Sequence, residues 1–367
     1  MRFNNQSYLN LSRKWKPVGG LKSQADQPVK VMDHFQYAIF CLLALMRFGD
    51  KLDEDQIKKI EAIQRKILLR LGEVNVLNLF PVLSKIIFRK QWKELLQLRQ
   101  DQENILIPLI KARIEAKGLG SESVAYVDSL VDLQLTDEKR KLNMGEIVSI
   151  CAEFFNAGTD TTATELQWIM ANLVKFPEIQ EKVYQEIYQL VGGNQLGGIL
   201  NEEDMQKLPY LKAVVLEALR RHPPGHFLLP HSVSEDTEFK GYVIPKNANV
   251  NVMVAELGWD PNVWGNPMEF KPERFLNSSN DHDHDEFDIT GSREIKMMTF
   301  GAGRRICPGY ALALLHLEYF VVNFVWCFKW KHVNGDTSSI DLSEKQKFIV
   351  VMKNPLQACI FPTVQST

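Results

Sequence analysis

The ten residues from Phe300 to Gly309 constrain this chain more than any other stretch. They read Phe-Gly-Ala-Gly-Arg-Arg-Ile-Cys-Pro-Gly, and an apolar run from Tyr310 to Val325 follows them. Glycine allows backbone conformations that other residues resist, and it lets a flat ligand approach the main chain. Arg304 and Arg305 add fixed positive charge with forked donors suited to carboxylates. We therefore expect a lowered pKa for Cys307, which would hold it as the thiolate that binds metals.

A buried structural cysteine beside a glycine turn is the alternative interpretation of this loop. The pattern resembles the heme-binding loop of the cytochrome P450 monooxygenases, Phe-x-x-Gly-x-Arg-x-Cys-x-Gly. The matching positions are Phe300, Gly303, Arg305, Cys307 and Gly309. The resemblance implies the heme-thiolate fold of that family, mainly α with small β-sheets. It also implies heme b (iron protoporphyrin IX) bound at these five positions, with Cys307 as the axial ligand of the iron.

Composition narrows the class of protein. Apolar residues make up 45% of the 367 residues and charged residues 24%, which is ordinary for a globular protein. The net charge of −2 argues against a nucleic-acid partner. The five cysteines form no CxxC pair, so neither a disulfide framework nor a zinc site is indicated. A reducing, cytosol-facing environment fits this pattern best.

No stretch reaches the roughly 20 apolar residues expected of a membrane span. The longest apolar run, Tyr37 to Met46, predicts a buried core helix instead. The first twenty residues are polar and basic and lack the apolar core of a signal peptide.

Periodicity predicts a mainly helical chain. We expect helices over residues 29–48, 53–71, 84–117, 144–176, 177–191, 209–222 and 310–325. Residues 239–251 have hairpin character and residues 348–360 suggest short strands. The run Asp281 to Asp285 contains metal-ligating residue types, but its polar surroundings favour a solvated loop.

The helix over residues 144–176 contains a run that is unfavourable for a helix, Ala157-Gly-Thr-Asp-Thr-Thr162. A glycine costs about 1 kcal/mol there relative to alanine, and threonine hydroxyls can bond back to the preceding turn. A threonine-rich solvent face is one interpretation, and a functional distortion is the other. The run resembles the oxygen-activating groove of the same family. That resemblance implies that Thr161 holds the oxygen or its water, that Asp160 relays protons, and that Ala157 faces substrate.

Glu217 and Arg220 lie three residues apart, so they share a helix face and can pair. An isolated surface pair contributes only about 0–1 kcal/mol. The spacing resembles the family's Glu-x-x-Arg motif, and Pro272 to Phe275 resembles its Pro-Glu-Arg-Phe segment. The resemblance implies a structural triad of Glu217, Arg220 and Arg274 behind the heme.

Residues 222–231 form an irregular, partly apolar run. In the family this region passes over the heme and lines the substrate cavity. The resemblance implies that His231 bonds a heme propionate and that five residues face substrate, namely Gly225, His226, Phe227, Leu228 and Leu229. The alternative for each histidine is an ordinary loop residue whose hydrogen bonds are satisfied within the chain.

The resemblance covers essentially the whole chain and looks closest to plant A-type members of the 89A subfamily. It rests on four further segments, Asp33–Tyr37, Gly291–Met298, Leu315–Phe320 and Met352–Gln357. We expect one catalytic domain over residues 1–367. The family's membrane anchor, proline-rich hinge, most of its small β domain and a propionate-binding helix are not found before Val29. We therefore expect an N-terminally truncated fold, either a fragment of a longer product or a truncated gene model.

The function implied by the resemblance is insertion of one oxygen atom of O2 into a small, apolar organic substrate. Electrons would come from NADPH through NADPH-cytochrome P450 reductase at the cytosolic face of the endoplasmic reticulum membrane. The reductase would dock near Arg293, Lys296 and Arg304. Two alternatives stay open: an isomerase or dehydratase that uses the same heme, and a truncated non-catalytic heme-binding fragment or pseudoenzyme.

Overall fold

The computed structural model describes residues 28–79, 81–120, 124–135, 138–192, 200–276 and 287–363. These residues form two compact units, one of residues 33–163 and one of residues 28–32 with 164–363. The expectation of a single domain over residues 1–367 stays a prediction. The acidic run at residues 281–285 lies outside the described residues.

The described residues are mainly helical, as the sequence predicts. The helices are α1 (Val31–Phe48), α2 (Glu54–Leu79), α3 (Pro81–Ile87), α4 (Arg89–Gly118), α5 (Tyr126–Asp132), α6 (Met144–Lys175), α7 (Pro177–Val191), α8 (Glu202–Met205), α9 (Pro209–Arg221), α10 (Val254–Trp259) and α11 (Tyr310–Cys327). The long helix expected over residues 84–117 is interrupted at Phe88, whose φ of −105° and ψ of 39° lie outside the helical region. The short helices α5 and α10 were not expected, because they are too brief to show a clear apolar period.

The strands are short and mostly paired two by two. They are β1 (Val29–Lys30), β2 (Gln134–Leu135), β3 (Arg140–Lys141), β4 (His231–Ser232), β5 (Thr237–Phe239), β6 (Tyr242–Ile244), β7 (Asn249–Val250), β8 (Phe328–His332), β9 (Glu344–Gln346), β10 (Val350–Met352) and β11 (Gln357–Pro362). The one three-stranded sheet among them has the order β1-β11-β8, and both neighbours run antiparallel to β11.

The hairpin that the sequence placed at residues 239–251 turns earlier than expected. Its strands β5 and β6 pair Phe239 with Tyr242. The two residues between them, Lys240 and Gly241, have φ values of +48° and +82°. Two consecutive positive φ values define the tight turn whose twist matches a β-hairpin. The remaining strand of this region, β7, pairs instead with β4.

Helices α1 and α11 are long and apolar enough to cross a membrane by length and composition. The expectation that no stretch would meet that measure is therefore wrong for these two helices. In α1, 61% of the 18-residue window is buried within the fold, and in α11 50% is buried. The burial of α1 matches the core helix that the sequence predicts from Tyr37 to Met46.

The core of the first unit contains a buried charge on α1. Arg47 is fully buried, and its guanidinium lies 3.3 Å from the ring centroid of Phe155 and 5.1 Å from that of Phe154. None of its three side-chain nitrogens has a hydrogen-bond partner among the described residues. Burial lowers the pKa of Arg47 to about 9, so the side chain stays charged at neutral pH. A desolvated cation–π contact contributes about 2 kcal/mol, which is less than the several kcal/mol that burying an unpaired ion costs.

We therefore expect Arg47→Met to raise the free energy of unfolding by about 2 kcal/mol, because methionine fills similar space without a charge. Urea denaturation would measure the change. Arg89→Met is the matched control, since Arg89 is exposed in the same unit and its loss should change stability by less than about 0.5 kcal/mol. Equal stability of the Arg47 variant and the parent protein would show that the buried guanidinium is compensated.

Candidate functional site

The loop that carries Cys307 folds back on itself at the start of α11. The amide of Cys307 donates to the carbonyl of Phe300 at 2.8 Å, and the amide of Ile306 donates to that of Gly303 at 3.2 Å. Gly301 and Gly303 have φ values of +75° and +65°, which the reversal requires and which side chains disfavour. Because α11 begins three residues after Cys307, the positive end of its dipole lies beside this loop.

The residues of this loop fit a heme held by a thiolate. A side chain at Gly309 would place its Cβ 3.9 Å from the Cys307 sulfur, so glycine keeps that side of the thiol clear. Arg304 and Arg305 are exposed, and neither forms an ion pair with a described residue. An available guanidinium beside a half-buried thiol suits a ligand that carries both a metal and carboxylates. The lowered pKa expected for Cys307 stays a prediction.

The segment expected to face substrate lies against this loop. The Cδ2 atom of Leu228 is 3.7 Å from the position that a Cβ at Gly301 would take, so Leu228 packs on the cysteine loop. Phe227 is 52% exposed and Leu229 is 72% exposed. Two large apolar side chains are therefore available to a ligand. Glycine at position 225 lets the backbone pass close to the carbonyl oxygen of Phe227, because a Cβ there would lie only 3.2 Å from that oxygen.

The two histidines of the segment have different partners. In half-exposed His231, Nδ1 lies 2.8 Å from the carbonyl oxygen of Leu229. If Nδ1–H donates to that carbonyl, Nε2 is left for a further partner. In His226, Nε2 lies 2.9 Å from a carboxylate oxygen of Glu344. The propionate role of His231 and the substrate role of His226 stay predictions.

The Asp160 and Thr161 pair belongs to the part of α6 in the first unit. Asp160 accepts a hydrogen bond from Gln36 Nε2 at 2.9 Å, and Gln36 Oε1 accepts one from Arg65 at 2.9 Å. Thr161 donates its hydroxyl to the carbonyl of Ala157 at 2.5 Å. Gln36 and Arg65 could not be predicted as partners, because they lie 124 and 95 positions away from Asp160 along the chain.

The glycine in this run has a packing role as well. A Cβ at Gly158 would lie 3.1 Å from Cδ1 of Leu43, so its absence lets α1 approach α6 closely. The residues 157–162 stay α-helical throughout, and Ala157 is exposed.

The structure places Glu217, Arg220 and Arg274 in contact. Glu217 is fully buried and accepts from Arg220 Nε at 2.7 Å and Nη2 at 2.8 Å. It also accepts from Arg274 Nε at 3.3 Å and from the amide of Lys271 at 2.7 Å. Arg220 reaches the carbonyl of Gly258 at 2.5 Å, and Arg274 bonds the carbonyls of residues 265 and 266. These bonds join α9 to α10 and to the segment that follows it.

The charges expected to attract a reductase are partly paired within the chain. Lys296 lies 3.1 Å from Glu294, and Arg293 lies 4.0 Å from Asp288. Arg304 is exposed without an ion pair among the described residues. Pairing of this kind lowers the local positive potential, so Arg304 and Arg305 carry most of it.

The chain is similar to known proteins over most of its length. The family model described as Cytochrome P450 matches residues 13–360. Cytochrome P450 89A9 of Arabidopsis thaliana is 51% identical over 90% of this chain and 65% of its own length. Geraniol 8-hydroxylase of Catharanthus roseus is 32% identical over 86% of this chain and 63% of its own. The chain thus spans about two thirds of the length of these relatives.

A solved structure supports the fold. A zebra fish cytochrome P450 determined with abiraterone superposes with a TM-score of 0.72 and 22% identity, covering 98% of this chain and 77% of that chain. This likeness confirms the fold class that the sequence predicts, mainly α with small β-sheets.

Proposed function

Because the chain belongs to the cytochrome P450 family, we propose that it holds heme through Cys307 and hydroxylates a small apolar molecule. The observation that carries the proposal is the loop from Phe300 to Gly309, which folds back on itself so that the thiol precedes α11 by three residues and follows two exposed arginines. Heme held by a thiolate supplies O2 activation, in which two electrons and two protons convert O2 and the substrate C–H bond into an alcohol and water. The name of one relative, geraniol 8-hydroxylase, supports a small apolar substrate for this chain.

The chain's own residues have separate tasks in this proposal. Arg305 would hold the heme carboxylates through its guanidinium, and His231 would do so through Nε2, the ring nitrogen that does not face Leu229. Phe227 and Leu229 exclude water from the substrate, because both present exposed apolar surface next to Leu228. NADPH-cytochrome P450 reductase, at the cytosolic face of the endoplasmic reticulum membrane, is the electron donor and approaches Arg304.

Asp160 and Thr161 are assigned to proton delivery. Gln36 holds the carboxylate of Asp160 in one orientation, which leaves its second oxygen to accept protons from solvent. The Thr161 hydroxyl has a partner in the Ala157 carbonyl, so it can release that bond and present its proton elsewhere.

The carbon monoxide difference spectrum of the reduced, purified chain tests the proposal. A long-wavelength Soret band would establish heme bound through a thiolate, and product formation with reductase would then be sought. A chain without stoichiometric heme would overturn the proposal and favour the non-catalytic fragment.

Thr161→Ala should separate oxygen consumption from product formation. We expect the product formed per NADPH consumed to fall about tenfold, with an unchanged heme spectrum, because a positioned proton donor is lost. Thr161→Ser is the matched control, since it keeps the hydroxyl. Tight coupling in the alanine variant would remove Thr161 from the proton path.

A further inference from the structure

Glu344, the first residue of β9, lies among three basic side chains. Its Oε2 is 2.9 Å from Nε2 of His226, and its Oε1 is 3.5 Å from Nδ1 of His222 and 3.9 Å from Nη1 of Arg221. Neither imidazole contact has hydrogen-bond geometry, and His222 is uncharged at neutral pH because burial lowers its pKa to about 4, so Arg221 supplies a fixed positive charge beside the carboxylate. His222 is fully buried and stacks on Trp168, with ring centroids 4.1 Å apart. The carboxylate therefore joins β9 to the chain that leaves α9.

A second contact joins the same two segments. β9 and β10 pair as an antiparallel hairpin, with Glu344 opposite Met352. The amide of Val350 on β10 donates to the carbonyl of Pro224 at 2.8 Å. The tip of the hairpin carries Phe348, which is 65% exposed. The hairpin is thus fastened both at its base, by Glu344, and near its tip, by Val350, to the segment that leads to Phe227 and Leu229.

We propose that Glu344 is a positioning residue whose carboxylate latches the β9–β10 hairpin to residues 222–229, and so sets how far Phe348 stands from Phe227. The spacing between these two exposed rings would decide which apolar molecules fit between them. The part concerning substrate rests on the proposed function, whereas the latch itself does not.

The latch should weaken in acid. The titratable groups that face Glu344 are His222, His226 and Arg221, and His222 also faces Arg220, which Glu217 binds. Burial raises the pKa of Glu344, but the contact with His222 and the nearby positive charges outweigh it, so the pKa lies below its ordinary value.

Burial lowers the pKa of His222 to about 4. An acid with a lowered pKa loses its stabilising charge as the pH falls through that value. A histidine whose pKa is lowered by burial takes up a proton when the hairpin opens and exposes it. For His222 this happens at pH values between about 4 and its ordinary pKa of 6.5, and it favours the open state. His222 therefore favours opening of the hairpin as the pH falls from about 6.5 toward 4, and Glu344 adds to this effect only below its ordinary pKa of 4.5.

Amide hydrogen exchange at Val350 and across residues 222–229 tests the latch. At neutral pH we expect the amides of both segments to exchange about tenfold faster in the Glu344→Gln variant than in the parent protein. The amides of β8 and β11 should exchange at the same rate in the two proteins. The ratio of the two rates should shrink only as the pH falls below about 4.5, where the carboxylate of the parent protein begins to be protonated. Lys345→Gln is the matched control, because Lys345 is exposed on the same strand and points to the opposite face. Unchanged exchange in Glu344→Gln, or faster exchange throughout the chain, would overturn the proposal.

A double-mutant cycle separates a latch from general weakening. His226→Gln should accelerate exchange in the parent protein but add little in Glu344→Gln, since the partner is already absent. Additive effects would contradict the pairing. Exchange requires no heme, so this result stands even if the chain binds none.

If heme is bound, Glu344→Gln should weaken binding of an apolar ligand several-fold with an unchanged Soret spectrum, and equal affinity would remove the role in substrate fit.

Discussion

Cys307→Ala is expected to abolish the long-wavelength carbon monoxide Soret band completely, while Cys327→Ala keeps it. Cys327 ends α11, and 18 helical residues at about 1.5 Å each place it roughly 27 Å along the helix from the Cys307 loop. Burial raises the pKa of Cys327, which disfavours the thiolate form. Cys359 is buried on β11. Among the described residues of the second unit, neither is placed to replace the ligand.

Absorbance of the two variants, with heme content measured by extraction, checks this expectation. Cys307→Ala should lose the thiolate band even if some heme stays in an apolar pocket, because the ligand and not the pocket sets the band. Cys307→Ala with a surviving thiolate band would show that another cysteine ligates the iron, and would remove the central assignment of the proposed function.

Local signals account for what the sequence could predict. The apolar period of α6 and α9, the terminal proline of α7 and the glycine that follows α1 are each determined within a few residues, and the predicted helices agree to within a few positions at most of their ends. The hairpin expected over residues 239–251 lies instead over residues 237–244, because both Lys240–Gly241 and Asn247 are turn-forming and the sequence alone does not rank them.

Contacts between distant segments explain what the sequence could not predict. Glu344 pairs with His226 across more than a hundred residues, and no spacing rule connects a strand carboxylate to a loop histidine. A charged residue in a helical sequence normally indicates a position exposed to solvent. The burial of Arg47 against Phe155 could therefore not be expected from the sequence. By contrast, helical spacing predicts Arg220 as a partner of Glu217, whereas Arg274, 57 positions away, was predictable only through the motif resemblance.

Glu217→Ala should be among the most destabilising single changes in the chain. Glu217 is fully buried and neutralises Arg220, which is itself fully buried. Removing the carboxylate leaves that guanidinium without a counter-charge and the amide of Lys271 without its acceptor. Breaking one side of a buried pair costs about 3–5 kcal/mol, out of the roughly 5–15 kcal/mol by which domains are stable. We therefore expect little folded protein at 37 °C.

Urea denaturation of Glu217→Ala against Glu203→Ala, an exposed glutamate on α8, measures this loss. The double variant Glu217→Leu with Arg220→Met should recover most of it, because apolar residues of similar volume can replace a buried ion pair at little cost. Recovery would show that the uncompensated charge, and not lost packing, destabilises the single variant. If the double variant were as unstable as the single one, the bonds of Arg220 to the carbonyl of Gly258 and of Glu217 to Lys271 would be the stabilising contacts.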